Sequence, residues 1–268
     1  MDTQAAVEHN RRAWDELHRL GQRFTKPARN DDLRDPLRTV DGRGWLGGDV
    51  TGKRLLCLAG GGGRQSALYA RAGADVTVVD ISPAMIEQDR RVAQELNLPI
   101  HALVGSMHDL RMLDDASFDI VIHPVSTCYL PDVSAVYREV ARVTRPSGLY
   151  ISQHKQPVSL QTSITPRRGR YTLETGYYEP GPLAQVSAPN LVREPGAMEF
   201  LHRWEDLVGG LCRAGFVIED LTEPYHHKPA AQEGSFEHRS GYVAPYVRIK
   251  ARRAAQAAAP TPPRVWTP

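Results

Sequence analysis

The residues best suited to bind a ligand in this sequence are four consecutive glycines, Gly60 to Gly63, and an acid, Asp80. A short apolar run, 55–59, leads into the glycines, and a second, 76–79, ends at the acid. Without a Cβ atom, glycine can adopt positive φ angles and let the backbone approach a ligand closely. A carboxylate at the end of the second strand can accept hydrogen bonds from both hydroxyls of a ribose. The pattern therefore predicts a nucleoside-binding βαβ unit.

The glycine spacing does not fit a dinucleotide fingerprint. That fingerprint needs a glycine or alanine three residues after its second glycine. The residue at that position is Ser66 when the count starts at Gly61 and Gln65 when it starts at Gly60. A nicotinamide-dependent oxidoreductase is therefore a disfavoured alternative.

The stretch from Arg54 to Ile151 resembles the class I, Rossmann-like (type 11) S-adenosylmethionine-dependent methyltransferases. In that family an apolar strand and an acid precede three glycines at alternate positions. Ala59, Gly61 and Gly63 occupy the glycine positions here, and Cys57 occupies the acidic one. The segment FDIVIHP, 118–124, lies where the family has its fourth strand, and a Pro-Ser-Gly turn at 146–148 precedes a fifth.

The resemblance implies an α/β fold with a doubly wound, mostly parallel sheet of seven strands, a helical N-terminal cap and an insertion on the substrate side. The expected organisation has five parts. These are a cap and loop at 1–50, a cofactor-binding core at 51–152, an insertion or lid at 153–203, a C-terminal helix and antiparallel strands at 204–252, and a disordered tail at 253–268.

The resemblance also implies S-adenosyl-L-methionine as the cofactor. The glycine loop would hold the methionine and ribose end, Asp80 the ribose, and the segment 106–109 the adenine. Ser106 stands where the family often has an acid that binds the adenine amine. The expected cofactor contacts are Ala59, Gly60, Gly61, Gly62, Gly63, Gln65, Asp80, Ile81, Met85, Ser106, Met107, His108 and His123.

Polar residues that could serve methyl transfer follow the fourth and fifth predicted strands. A sulfonium donor is already activated, so the protein mainly has to align an acceptor lone pair and exclude water. A general base is needed where the acceptor loses a proton. His123 and Tyr129 follow strand four, and His154 and Lys155 follow strand five. His123, His154 and Tyr129 are the catalytic candidates; a structural role is the alternative for each histidine.

Acceptor contacts are expected from the cap and from the insertion. Long loops in compact domains are usually lids or binding loops, and the insertion carries YTLETGYY at 171–178, which alternates like a hairpin strand. The substrate candidates are Trp14, Tyr171, Tyr177, Tyr178, Glu199 and His202. Their aromatic content favours an aromatic or heteroaromatic acceptor, whereas Trp14 could instead simply pack its helix on the domain.

The remaining elements follow from periodicity and caps. Apolar residues at helical spacing predict a helix over 3–20. Ser82 and Asp132 are N-cap residues for two further helices, and Asn97 ends the first of these. A helix over 204–214 and an antiparallel pair at 216–221 and 242–251 should complete the domain.

Composition excludes several classes of protein. The net charge is +2, with 33 Lys and Arg against 31 Asp and Glu, so no basic footprint for nucleic acid or membranes is expected. Three separated cysteines indicate neither disulfides nor a zinc site. No carboxylate cluster accompanies His226, His227 and His238, so no metal is expected. We expect a cytoplasmic enzyme acting on a small molecule, of unspecified oligomeric state. The alternatives are a non-catalytic cofactor-binding module and a methyltransferase for protein or tRNA.

Overall fold

The computed structural model describes residues 2–186 and 190–255. A seven-stranded sheet with strand order β3-β2-β1-β4-β5-β7-β6 forms its centre. The strands are β1 (Arg54–Leu58), β2 (Asp75–Asp80), β3 (Ile100–Val104), β4 (Phe118–His123), β5 (Thr144–Lys155), β6 (Phe216–Thr222) and β7 (Tyr246–Arg253). Strands β1 to β5 are parallel, and β7 is antiparallel to both β5 and β6. The predicted α/β fold class is confirmed.

Helices cover both faces of this sheet. The α-helices are α1 (Thr3–Arg19), α2 (Pro36–Val40), α3 (Gln65–Arg71), α4 (Pro83–Leu96), α5 (Val133–Val143), α6 (Pro157–Gln161), α7 (Gly210–Arg213) and α8 (Phe236–Arg239). Short 3-10 turns occupy Arg23–Thr25 and Thr127–Tyr129, and a π-helical turn, Glu205–Gly209, precedes α7. Among the described residues, none of the helices has the length and apolar character needed to cross a membrane.

The continuous apolar runs fold as strands that are buried on both faces, as is usual in parallel sheets. All six residues of β4 are buried. Consecutive side chains point to opposite faces, so Val121 packs with Tyr137 of α5, whereas Ile122 packs with Tyr69 of α3. The carboxyl ends of the strands therefore lie between two helical layers at one edge of the sheet.

The predicted helix caps are present. The Ser82 hydroxyl accepts from the Met85 N–H at 3.1 Å, and the Asp132 carboxylate accepts from the Ser134 N–H at 2.8 Å. Asn97 ends α4 in the left-handed conformation with φ 50°. Local sequence thus determines where these helices start and stop.

The insertion differs from its prediction as a hairpin. Its Tyr171 ring packs against His238 and Tyr242, with centroid distances of 5.8 and 5.1 Å. Among the described residues of the insertion that follow β5, strand pairing is limited to isolated bridges, such as Thr162 with Leu173. The segment 171–178 is therefore held by tertiary contacts, and its expected strand is wrong. The predicted disordered tail falls largely outside the described residues, and its first residue, Arg253, ends β7.

One buried side chain, Asn10 of α1, joins the N-terminal helix to the insertion. Its Nδ2 donates to the carbonyls of Tyr129 and Met198 at 2.8 and 3.0 Å. Its Oδ1 accepts from the Met198 N–H at 2.8 Å. Because Asn10 is fully buried, water cannot replace these bonds, and the contact fixes α1 over the carboxyl edge of the sheet.

Replacing Asn10 with alanine is expected to lower the free energy of unfolding by about 2–4 kcal/mol, because buried polar backbone groups lose their partners. Urea denaturation followed by tryptophan fluorescence measures this change. The control is Arg12→Ala on the exposed side of the same helix, with an expected change within about 0.5 kcal/mol. A loss at Asn10 no larger than at Arg12 would contradict the proposed role of this contact.

Candidate active site

The glycine loop lies against the carboxylate at the end of β2. Asp80 accepts hydrogen bonds from the Gly61 N–H at 3.0 Å and from the Ser82 N–H at 2.9 Å. A Cβ atom on Gly61 would lie 2.9 Å from the Asp80 Cβ, so only glycine permits this approach. Burial raises the pKa of Asp80, and the two N–H donors oppose that rise.

A second buried carboxylate, Asp89 of α4, holds the other half of the loop. It accepts from the Gly62 N–H at 2.7 Å, from the Gly63 N–H at 3.1 Å and from the Ser66 hydroxyl. Both glycines have positive φ, 101° and 75°. Burial raises the pKa of Asp89 to about 6, although the hydrogen bonds partly offset that rise.

The sequence contained a signal for Asp89 that our sequence analysis did not use. Met85 and Val92 of α4 face the core, and Asp89 stands between them, four residues after one and three before the other. It therefore shares their buried face. An acid on an apolar face needs hydrogen-bond partners, and the glycine loop supplies them.

The segment after α1 covers the outside of this loop. Gln88 donates from Nε2 to the carbonyls of Thr25 and Gly62 at 2.8 and 2.9 Å. The Ala28 N–H donates to the Gly63 carbonyl at 3.2 Å. The N-terminal cap is thus bonded directly to the backbone that it covers.

A cavity of about 1070 Å³ opens at the carboxyl edge of the sheet. Its floor includes Gly61, Asp80 and His123, and one wall includes Trp14 and Tyr129. Further lining comes from the N-terminal cap, from the loop before β1 and from residues of the C-terminal third. One cavity thus connects the glycine loop with the cap, the insertion and β7.

Most of the residues expected to contact the cofactor line this cavity. Those that do are Ala59, Gly60, Gly61, Gln65, Asp80, Ile81, Met85, Met107 and His123. Gly62, Gly63, Ser106 and His108 do not; the first two donate to Asp89, and the Ser106 hydroxyl is bonded to His108 Nδ1 at 2.7 Å. As cofactor contacts, all of these assignments remain predictions.

The residues present fit a nucleoside cofactor. Gln65 lines the cavity, and its buried Oε1 atom has no hydrogen-bond partner within the described residues, so an acceptor beside the glycine turn is left without a donor. The backbone of Gly61 and the carboxylate of Asp80, which lie close together, both line the floor of the cavity. Both observations agree with a bound ligand that has hydroxyl or amino donors.

His123 lies on the cavity floor with both ring nitrogens engaged. Nδ1 is 2.7 Å from the Tyr150 hydroxyl, and Nε2 is 2.6 Å from the Ser126 hydroxyl. Burial lowers the pKa of His123 to about 3, so the ring is neutral. This arrangement suits a fixed wall better than a proton acceptor.

His154 does not line the cavity. Its ring nitrogens lie 2.9 and 2.8 Å from the hydroxyls of Thr127 and Ser152, and burial lowers its pKa well below the usual value. Strands β4 and β5 are neighbours as expected, but the side chain of His154 points into the core beside Tyr137. We therefore assign it no chemical step.

Tyr129 reaches the cavity as part of a buried charge cluster, which we define as Tyr129, Lys155, Arg193, Glu194 and Glu199. Glu194 Oε2 accepts from the Tyr129 hydroxyl at 2.7 Å and from Lys155 Nζ at 2.5 Å. Glu199, fully buried, is paired with Lys155 and Arg193. Burial opposes the charge on Lys155, yet the adjacent carboxylates raise its pKa.

The two carboxylates of this cluster differ in their setting. Glu194 lines the cavity, and Lys155 lowers its pKa against the effect of burial, so it is ionised. Burial raises the pKa of Glu199, which lies behind the wall. The cluster therefore presents one charged carboxylate and one protonated phenol to the cavity. Sequence reasoning found Tyr129 but missed Glu194.

Five of the six expected acceptor contacts lie away from the cavity. Trp14 does line it. Tyr171 is bonded to His238 Nδ1 at 2.9 Å, and the Tyr177 hydroxyl accepts from the Trp204 N–H at 3.4 Å. Tyr178 is exposed under Arg203. Glu199 is in the charge cluster, and His202 donates from Nε2 to the carbonyls of Thr127 and Leu130. We therefore do not propose these five as acceptor contacts.

The C-terminal loop supplies aromatic walls that the sequence analysis did not identify. Three rings, those of His226, Phe236 and Tyr246, line the cavity and pack together, with ring centroids 5.3 to 6.4 Å apart.

Within residues 2–186 and 190–255, no group of three or more His, Cys, Asp or Glu side chains could hold a metal ion.

The strand order, the glycine loop facing Asp80 and the cavity above them define a class I methyltransferase. The model of the family described as a methyltransferase domain matches residues 56–152. The chain is 34% identical over 233 residues to the uncharacterized methyltransferase YbaJ of Bacillus subtilis, covering 82% of this chain and 91% of that protein. The chain belongs to the class I S-adenosylmethionine-dependent methyltransferases, with S-adenosylmethionine as the cofactor and methyl transfer as the reaction.

Two further likenesses cover different parts of the chain. A ubiquinone biosynthesis O-methyltransferase of Xanthomonas oryzae is 34% identical over 105 residues, 39% of this chain and 44% of that protein. A solved S-adenosylmethionine-dependent methyltransferase from Mesorhizobium loti shares the fold, with a TM-score of 0.64 and 22% identity, covering 82% of this chain and 100% of that one.

Replacing Asp80 with asparagine is expected to weaken S-adenosylhomocysteine binding about 10- to 100-fold, because hydrogen bonds to a charged acceptor contribute about 1.5–3 kcal/mol. Isothermal titration calorimetry measures the dissociation constant. The control is Asp75→Asn at the exposed start of the same strand, with no expected change. Equal affinity in all three proteins would contradict the assignment of Asp80.

Asp89→Asn should flatten the dependence of stability on pH. The pKa of Asp89 is about 6 in the folded protein, against 3.8 for an ordinary aspartate. Its carboxyl group therefore binds a proton more tightly in the folded state than in the unfolded state. It therefore stabilises the fold at low pH, and this contribution is lost as the pH rises through that window. We expect the unfolding free energy of the unmodified chain to fall more steeply between pH 4 and 6 than that of the variant. Urea titrations at several pH values measure this, and parallel curves would refute it.

Proposed function

We propose that this enzyme methylates a small-molecule acceptor, with a preference for an aromatic or heteroaromatic one. The observation that carries the proposal is the single cavity, which joins Gly61 and Asp80 to the wall formed by Trp14, Tyr129 and Glu194. Its volume of about 1070 Å³ is at the upper end of typical ligand pockets, which leaves room for a cofactor and an acceptor together.

The floor of the cavity would hold the cofactor. Asp80 would accept from the ribose hydroxyls, Gln65 Oε1 from a further donor, and Met85 and Met107 would provide apolar contacts. When bound, S-adenosylmethionine supplies a methyl group on an activated sulfonium. The residues themselves fix the position of that ligand and keep the site free of water.

The acceptor would meet Glu194 and Tyr129. Because Lys155 holds Glu194 ionised, its carboxylate can accept a hydrogen bond from the hydroxyl or amine of an acceptor and orient the lone pair on that atom. Burial raises the pKa of Tyr129 well above its usual value, so the phenol acts as a donor that positions Glu194. Alignment of this kind can supply much of the rate enhancement.

Two lines support a small acceptor over a macromolecule. The net charge of only +2 gives little overall attraction to the polyanionic backbone of tRNA. One relative of the core is named for the biosynthesis of ubiquinone, a small molecule. The aromatic preference is supported by the walls of His226, Phe236 and Tyr246.

The test is transfer of tritiated methyl groups to a panel of phenols, aromatic amines and aromatic acids. Glu194→Gln and Tyr129→Phe should lower kcat/KM about 10- to 100-fold for the best acceptor, because each removes a polar contact at the acceptor. The affinity for S-adenosylhomocysteine should stay within about twofold, since neither residue lies on the cofactor floor.

Glu95→Gln, on the exposed face of α4, is the matched control and should leave both quantities unchanged. Thermal melting of each variant separates a loss of activity from a loss of folding. Transfer to tRNA or protein fractions, with none to any small molecule, would overturn the proposed acceptor class.

A further inference from the structure

Cationic side chains outnumber carboxylates in the lining of the cavity. Seven Lys or Arg residues line it, against four Asp or Glu: Arg23, Lys26, Arg29, Arg43, Arg64, Lys228 and Arg248 against Asp41, Asp80, Glu194 and Glu237. Asp32 pairs with two of the arginines, and Lys228 is 3.9 Å from Glu237. Within the described residues, neither Arg43 nor Arg248 lies within 4.0 Å of a carboxylate oxygen.

The protein holds the side chain of Arg248 and the loop that carries Arg43. Arg248 Nε donates to Gln153 Oε1 at 2.6 Å, opposite it in the β5–β7 ladder. Its two terminal nitrogens have no acceptor within residues 2–186 and 190–255. Arg43 stands in a tight loop in which the Trp45 N–H donates to Asp41 at 2.8 Å. The Trp45 indole also donates to Asp220 at 3.0 Å.

Arg43 and Arg248 line the same cavity, and the loop of Arg43 is joined to the strand pair that carries Arg248, because Asp220, the partner of the Trp45 indole, pairs with Lys250 on β7. Burial and the charge of Arg43 lower the pKa of Arg248. Two like charges at one cavity mouth disfavour each other, and a bound anion would remove that cost. The free fork of Arg248 matches the two oxygens of a carboxylate.

The strand that carries Arg248 is separate from β1, which leads into the glycine loop. Strand β7 is three places from β1 in the sheet, which is about 14 Å at the usual strand spacing. Tyr246, two residues before Arg248 on β7, belongs to the aromatic wall with His226 and Phe236. Tyr246 is paired on the sheet with Lys155 of β5, which binds Glu194. Arg248, the aromatic wall and Glu194 are therefore arranged in that order along the cavity.

We propose that the acceptor is an aromatic carboxylic acid, whose carboxylate binds Arg43 and Arg248 while its ring packs on His226, Phe236 and Tyr246. This inference rests on the proposed function, because it specifies the acceptor of that same cavity. The nucleophilic group of the acceptor then faces Glu194 and Tyr129 at the opposite end.

The first experiment measures binding to the full chain saturated with S-adenosylhomocysteine. The probes are matched pairs: para-hydroxybenzoate with para-hydroxybenzamide, and indole acetate with indole acetamide. At least one acid should bind about tenfold more tightly than its amide, as expected for a charge-assisted pair. Arg43→Gln and Arg248→Gln should reduce this preference to about twofold or less. Arg138→Gln, on the exposed face of α5, is the control and should retain it.

Equal binding of acids and amides, no binding of any acid, or a preference that survives both substitutions would overturn the inference. The methionine carboxylate of the cofactor is the other source of such an anion. The variants are therefore also titrated with S-adenosylhomocysteine and with methylthioadenosine, which lacks the carboxylate. If the substitutions weaken the binding of S-adenosylhomocysteine but not that of methylthioadenosine, the arginines bind the carboxylate of the cofactor. That result would refute an acidic acceptor.

Failure of this inference can be told apart from failure of the proposed function. Methyl transfer to neutral aromatic acceptors, with no preference for acids, would leave the function standing and remove the anion site. Intact acid binding, with methyl transfer to macromolecules only, would remove the proposed function and leave Arg43 and Arg248 as an anion site that does not bind the acceptor.

Discussion

Two buried carboxylates hold the backbone of the glycine loop, and the geometry of the whole cavity floor depends on them. Asp80 takes the first half of the loop and Asp89 the second. Each comes from a different element, the end of β2 and the middle of α4, so the loop cannot shift without breaking bonds to both. A buried carboxylate needs donors as much as the loop needs acceptors, which makes the arrangement mutually stabilising.

The opposite wall depends on charges that are costly to bury. Lys155 ends β5 in the core, whereas Arg193, Glu194 and Glu199 come from the insertion. Such groups tolerate burial only when they are paired. The pairing therefore selects one position of the insertion against the sheet, and in that position Glu194 reaches the cavity. Ion pairs fix the position of the irregular insertion, whereas strand pairing fixes the position of the elements in the regular core.

Local patterns in the sequence were enough for the core. The glycine run, the acid at Asp80, the caps at Ser82 and Asp132 and the apolar strands each depend on neighbouring residues, and the structure has them where they were expected. The number of strands and their mostly parallel arrangement came from the resemblance, because pairings between distant strands leave no local signal.

The walls could not be predicted in the same way. The composition of the segment 171–178 indicated aromatic contacts but not their partners, and Tyr171 packs on His238 and Tyr242 instead of facing the cavity. Glu194 reaches the cavity because its ion pair with Lys155 holds the insertion against β5, and Arg248 reaches it because β7 pairs with β5. Asp89 was readable in principle, since an acid at a core position of α4 calls for a buried partner.

The contact made by Asn10 has a consequence for the order in which the chain folds. Its partner Met198 lies 188 residues further along, so α1 leaves the ribosome long before the segment that it must join. The strands β1 to β4 can associate while α1 still exposes the face that will cover them, since contacts distant in sequence form late. We infer that the ligand-binding cleft closes only after the segment around Met198 has been synthesised, and that chains ending before this segment would expose the uncovered face of α1 to chaperones.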